Sequence, residues 1–184
     1  MKISKKQLEE AKRIVRYYGR DILASKRFER GKHITHHGVT TVSRHCFHVA
    51  VQACLFAGKA QEREFSVSMR DVVRAALLHD VGMTEKRVFK SLSCKKAYTH
   101  PWMGGKIAAE EFGASPIVQD AIRHHMWPIC VIPPRHLAGW ILILSDKTCA
   151  RREFRKCKES RRKKAGTVSK ISTCTLGSSK DAPT

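Results

Sequence analysis

The chain has 184 residues, with 36 Lys and Arg against 16 Asp and Glu, a formal net charge of +20. That length suits one domain plus an appendage and buries a core without staples. The seven cysteines are odd in number and widely spaced, with no C-x-x-C, which argues against a secreted disulfide framework and for reduced thiols in a cytoplasm. The start, MKISKKQLEEAKR, lacks an apolar run, and the longest such run, Leu137 to Leu144, is too short to cross a bilayer, so a soluble cytoplasmic protein with no membrane association is expected.

From Arg151 onward eleven Lys or Arg face three acids, a net +8 that leaves +12 on the first 150 residues. A field of this sign draws in phosphates, nucleotides and nucleic acid. Residues 5 to 29 place Leu8, Ala11, Ile14, Val15, Tyr18, Ile22 and Leu23 at spacings of three and four, which predicts one or two amphipathic helices. The stretch GKHITHHG then breaks the pattern and carries His33, His36 and His37; three histidines in a loop can bind metal, but exposure to solvent is the simpler reading.

From Thr41 the helical pattern resumes through Cys46, Val49, Ala50, Ala53 and Ala57, with Gly58 as the expected stop and His45 on or beside the apolar stripe. Ser68 and Asp71 have the form of a capping box. It opens a helix whose apolar face runs into AALLHDVG, so that His79 and Asp80 end it and Gly82 gives the chain a way out. A basic connection with Lys86, Arg87 and Lys90 leads to Thr99-His100-Pro101, where proline predicts a helix start and a helix over about 102–112 ended by Gly113. Ser115-Pro116 predicts the next start, and that apolar face ends at His124 and His125. Prolines 128, 133 and 134 break regularity, so the last helix is expected to begin near Arg135 and carries Asp146 after a strongly apolar run. No internal repeat, glycine-rich phosphate loop or period-2 run is present, and the predicted class is all-α, with a basic, partly disordered tail.

His45, His79, Asp80 and Asp146 thus come from three helices, each at or next to an apolar face, with His100, His124 and His125 as further imidazoles. Imidazole and carboxylate ligands converging inside a bundle suit Fe, Mn, Zn, Co or Ni better than Mg or Ca. In that order, and with HCFHVA, ALLHDVG and ILILSDK as flanks, these residues resemble the HD-domain metal-dependent phosphohydrolases over about residues 20 to 152. THPWMGGKI and AIRHHMWP are similar to the segments that supply extra ligands in the multi-histidine, two-metal subset, and closest in wording to bacterial HD hydrolases with a His-Met-Trp-Pro segment. His125 is the matching position there, while His124 matches only the double-histidine form. The chain departs from the pattern at Met83, where many members carry lysine, and lacks the Gly-Tyr-Pro stretch of the cyclic-dinucleotide enzymes.

The resemblance implies a helical HD domain over 1–152 followed by a basic, disordered tail over 153–184. It also implies two divalent transition metals, one held by His45, His79, Asp80 and Asp146, the other by His100, His124 and His125 with Asp80 bridging. The reaction implied is hydrolysis of a phosphate ester or anhydride of a small nucleotide-like substrate by a metal-activated hydroxide. Lys147 and Arg123, with Arg87 or Lys90, are the candidate cations for substrate phosphates. Trp102 and Trp127 are expected to fill the core, the alternative being to stack on a base at the mouth of the site. The competing readings are a cyclic-dinucleotide phosphodiesterase, a protein that contacts nucleic acid through its basic tail without sequence recognition, and a structural metal site that only ties the bundle together.

Overall fold

A computed structural model describes residues 3–36, 40–85 and 93–174, with backbone alone for 93–97, 161 and 163–174. Three helices open the chain: α1 (Lys5–Tyr18), α2 (Arg20–Leu23) and α3 (Lys26–Gly31). The first starts at a complete capping box, in which Ser4 and Gln7 satisfy each other's backbone N–H. The histidine-rich loop contains a minimal antiparallel pair, β1 (Thr35–His36) with β2 (Thr40–Thr41), which delivers the chain into α4 (Val42–Gln61).

Helix α4 is the axis of the bundle, with Val49, Ala50, Ala53, Cys54 and Ala57 buried. It does not stop at Gly58. Glycine weakens a helix interior by only about 1 kcal/mol relative to alanine, and the buried stripe around it holds the helix until Glu64 takes a left-handed φ of 64° and Phe65 N–H closes on the Ala60 carbonyl. Next comes α5 (Met69–Leu78), buried from Val72 through Leu78. Ser68 caps it as expected by accepting from Asp71 N–H, but the Asp71 carboxylate does not return the bond; it accepts from Ser115 Oγ instead, 3.0 Å away.

A short 3₁₀ turn (Val81–Thr84) follows the His79-Asp80 doublet, and here Gly82 serves a purpose other than helix exit. A Cβ at this position would lie 2.1 Å from the His100 carbonyl oxygen and 2.8 Å from Gly104 N, so glycine is what lets the turn press against α6 (Ser93–Phe112). That helix starts before His100 and carries Pro101 in its interior, where a helix start was expected. Gly113 ends it at a φ of +55°, with Ala114 N–H reaching back to the Ala108 carbonyl. Helix α7 (Pro116–His124) opens, as predicted, on a Ser115 cap with proline in the first turn.

The last helix, α8 (Leu137–Cys174), packs its first half against α4, α5 and α7. It continues without a break across the expected domain boundary at residue 152, and the side chain of Glu153 turns back into the domain. Residues 175–184, the end of the expected disordered tail, lie outside the described residues. No helix among the described residues is long and apolar enough to cross a membrane.

Candidate metal centre

His45, fully buried on α4, is gripped at both ring nitrogens. Its Nε2 is 2.9 Å from Asp146 Oδ1 and its Nδ1 is 2.9 Å from Glu153 Oε2. The two carboxylates are seven residues apart, two helical turns, and so project from one face of α8. His79 sits at the end of α5 and donates from Nδ1 to the Ala76 carbonyl at 2.8 Å. Its Nε2 is buried without a hydrogen-bond partner, 3.4 Å from Asp80 Oδ2 and 3.9 Å from Asp146 Oδ1. His125 caps α7 and repeats this pattern: Nδ1 donates to the Ile122 carbonyl at 2.7 Å, while Nε2 lies 3.2 Å from His100 Nε2 and 3.8 Å from Asp80 Oδ1.

Asp80 is the hub, buried at 4% exposure. Oδ1 faces His100 Nε2 at 3.3 Å and His125 Nε2 at 3.8 Å, whereas Oδ2 faces His79 Nε2 at 3.4 Å and His36 Nε2 at 3.5 Å. His36 arrives from β1, with its ring centroid 4.5 Å from that of His45. Among the described residues, four groups with candidate ligand atoms within 4.8 Å of one another therefore interlock: His36, His45 and Asp80; His45, His79 and Asp146; Cys46, His79 and Asp80; and Asp80, His100 and His125.

Burial works against charge on Asp80, Asp146, His45 and His125, and their neighbours offset or add to that cost. Asp80 is desolvated, yet His79, His100 and His36 hold its carboxyl well below the usual range. Asp146 is lowered too, by the bond from His45 and the proximity of His79 against the cost of burial. Burial disfavours charge on His45, but the carboxylates of Asp146 and Glu153 prevail and push it up to about 10. Burial and the neighbouring His100 and His79 push His125 down to about 3, so its imidazole is neutral at physiological pH with a lone pair at Nε2. Cys46, near His79 and Asp80, is driven well above the thiol range by burial and by the Asp80 carboxylate.

Six of the seven expected ligands, His45, His79, Asp80, His100, His125 and Asp146, gather here. His124 does not: its Nδ1 is 2.9 Å from Asp120 Oδ1 on the outer side of α7. The expected phosphate cations are also engaged elsewhere. Lys147 Nζ donates to the Trp127 carbonyl at 3.1 Å, and Arg123 donates to Gln119 and lies over the Trp102 ring. Trp102, expected in the core, is 56% exposed. Lys86, Arg87 and Lys90 fall outside the described residues, as does His37. Sequence reasoning missed Glu153, whose only signal is its two-turn offset from Asp146. It also assigned His36 to solvent, although that residue sat in the one loop with three histidines.

The family model for the HD domain matches residues 42–150, more than half of the chain. The chain belongs to the HD-domain family. No curated protein and no solved structure matched. HD domains are the metal-dependent phosphohydrolase superfamily and bind divalent metals, and the donor set of this HD domain fits such ions. His45, His79 and His125 each spend Nδ1 on a carboxylate or carbonyl and aim Nε2 at the cluster, the arrangement that fixes tautomer and orientation in metal-ligating histidines. The orphaned Nε2 of His79 between two carboxylates is the clearest mark of the fit. The match spans the six gathered residues but includes neither His36 nor Glu153.

Proposed function

We propose that the HD domain holds two divalent transition metals and hydrolyses a phosphate ester or anhydride of a nucleotide-like substrate. The observation that carries this reading is the division of Asp80, which turns one oxygen toward His36 and His79 and the other toward His100 and His125. A carboxylate so placed suits a bridge between two ions. The ions, when bound, supply an acidified water and charge neutralisation for phosphoryl oxygens.

The chain's own residues determine the rest. His45, His79 and Asp146 would hold one ion and His100 with His125 the other, while His36 would add a donor on the Asp80 Oδ2 side. The low-dielectric packing of α4 and α5 around them strengthens each charge interaction. The net charge of +20 supports an anionic, phosphate-bearing substrate, and the absence of the Gly-Tyr-Pro stretch favours a nucleotide-like compound over a cyclic dinucleotide.

Elemental analysis of protein prepared without a histidine tag tests the centre. The expected outcome is about two metals per chain, about one in His100→Ala combined with His125→Ala, and near-complete loss in Asp80→Ala. Phosphate-release and chromatographic assays on dinucleoside polyphosphates, phosphate monoesters and cyclic dinucleotides then test the substrate class. Full metal content and full turnover in Asp80→Ala would overturn the scheme.

A further inference from the structure

Away from the metal cluster, the outer faces of α6 and α7 form a groove that the hydrolase reading leaves unused. Tyr98 and Trp102 stand one turn apart on α6, 51% and 56% exposed, and Lys106 extends the same face by another turn. Arg123 reaches over from α7, its guanidinium carbon 5.5 Å from the Trp102 ring centroid. Gly105 admits it: a Cβ there would come within 2.8 Å of Arg123 Cγ and Nε.

Two adjoining cavities share Trp102 and Arg123. One, of about 570 Å³, extends to Tyr98 and Lys106, and the other, of about 410 Å³, extends to His124, Arg135 and His136. Asp120 is the acid lining the second cavity, and both of its oxygens are occupied, Oδ1 by His124 Nδ1 and Oδ2 by Arg135 N–H, each at 2.9 Å. Glu110 approaches Lys106 at 3.8 Å, but both side chains are more than 60% exposed and the pair is weak in water. Aromatic faces and cations therefore alternate along the groove.

We propose that this α6–α7 groove binds single-stranded nucleic acid, with bases stacked on Trp102 and Tyr98 and backbone phosphates held by Arg123, Lys106 and Arg135. Stacking platforms interleaved with cations are what a single strand needs, because every base offers a face while only unpaired bases can present it. A duplex hides those faces, and a mononucleotide would use one ring and one cavity. The overall charge of +20 brings a polyanion to the surface but does not distinguish single from double strands. The groove shares no residue with the metal cluster, so this inference stands or falls independently of the hydrolase reading.

The test is fluorescence anisotropy on the full chain with labelled oligothymidylate and oligouridylate of about twelve nucleotides, within the range of single-strand site sizes. Trp102→Ala is expected to weaken binding about 5- to 150-fold, the equivalent of about 1–3 kcal/mol per stacked base. Trp102→Phe should retain most of the affinity, Tyr98→Ala should lose part of it, and a duplex of the same length should bind equally to parent and Trp102→Ala. The urea unfolding midpoint of Trp102→Ala should match the parent's, showing that the domain is intact. Equal oligonucleotide affinity for parent, Trp102→Ala and Tyr98→Ala would overturn the proposal and assign any binding to the basic C-terminal helix. Absence of binding at low salt would overturn it too, as would competition by a mononucleotide as effective per molecule as the oligomer.

Discussion

Glu153 holds His45 from behind: its Oε2 lies 2.9 Å from Nδ1, on the side of the ring opposite the nitrogen that faces Asp146. This fixes the imidazole in the rotation that points Nε2 into the cluster. Loss of such a supporting carboxylate typically costs 10–100-fold in metal affinity. Glu153→Ala should therefore weaken binding by about 10–100-fold in a chelator competition. Glu153→Gln, whose amide oxygen still accepts from Nδ1–H, should weaken it less. Identical affinities for parent, alanine and glutamine variants would reduce Glu153 to a packing residue.

His36 and His124 should separate cleanly. His36 Nε2 is 3.5 Å from Asp80 Oδ2, whereas His124 is bonded to Asp120 on the outside of α7. His36→Ala should lower metal affinity by about tenfold, the lower end of what a single lost partner costs. His124→Ala should leave metal content at the parent value and cost about 1 kcal/mol in denaturant midpoint for its lost hydrogen bond. The reverse pattern in metal content would return His124 to the ligand set.

Gly82 should tolerate no side chain. A methyl group would overlap the His100 carbonyl oxygen at 2.1 Å, and the obstacle is backbone rather than a side chain that can swing away. Gly82→Ala is expected to destabilise the domain by about 1–3 kcal/mol, the usual range for overpacking. It should also lower the metal content associated with His100, since the turn bearing Asp80 and helix α6 must move apart. Urea unfolding and elemental analysis on the same preparation read both effects.

Arg74 supplies an acid dependence away from the candidate metal centre. Only 5% exposed on α5, it donates to both oxygens of Asp21 at 2.8 and 2.9 Å and to the Phe112 carbonyl at 2.8 Å, joining the N-terminal helices to the end of α6. Burial raises the Asp21 carboxyl, but the Arg74 bonds outweigh it and the net shift is downward from 3.8. A carboxylate with a lowered folded pKa contributes stability above its unfolded value and loses it as pH falls through the folded one. Asp21→Asn should thus cost about 1 kcal/mol at neutral pH, discounted because Asp21 is half-exposed. The gap between parent and variant should close below the ordinary carboxylate range, measured by urea midpoints across pH. A gap independent of pH would show that charge is not what Asp21 contributes.

Helical class, the starts at Ser68 and Ser115 and the HD-family order His45, His79-Asp80, Asp146 were legible in the sequence, because caps, apolar stripes of period 3.6 and the motif itself are local properties of the chain. His125 and His124 are adjacent, and which of them turns inward depends on how α7 is rotated against its neighbours, a matter of packing rather than pattern. His36 looked like a loop residue because no periodicity relates a two-residue strand to the helix beneath it. Glu153 stood in a run of basic residues that reads as a solvated tail, and only the contact of α8 with α4 makes its face an inner one. Gly82 and Gly105 are glycines because of what approaches them, the His100 carbonyl and the Arg123 side chain, and those neighbours come from other helices. Sequence by itself determined the helical class, the helix starts and the chain order of His45, His79-Asp80 and Asp146; the tertiary structure decided that His36, His100 and His125 meet at Asp80, that Glu153 backs His45 and that His124 turns to Asp120, because convergence depends on helix rotation and separation, fixed by contacts between residues distant in the chain.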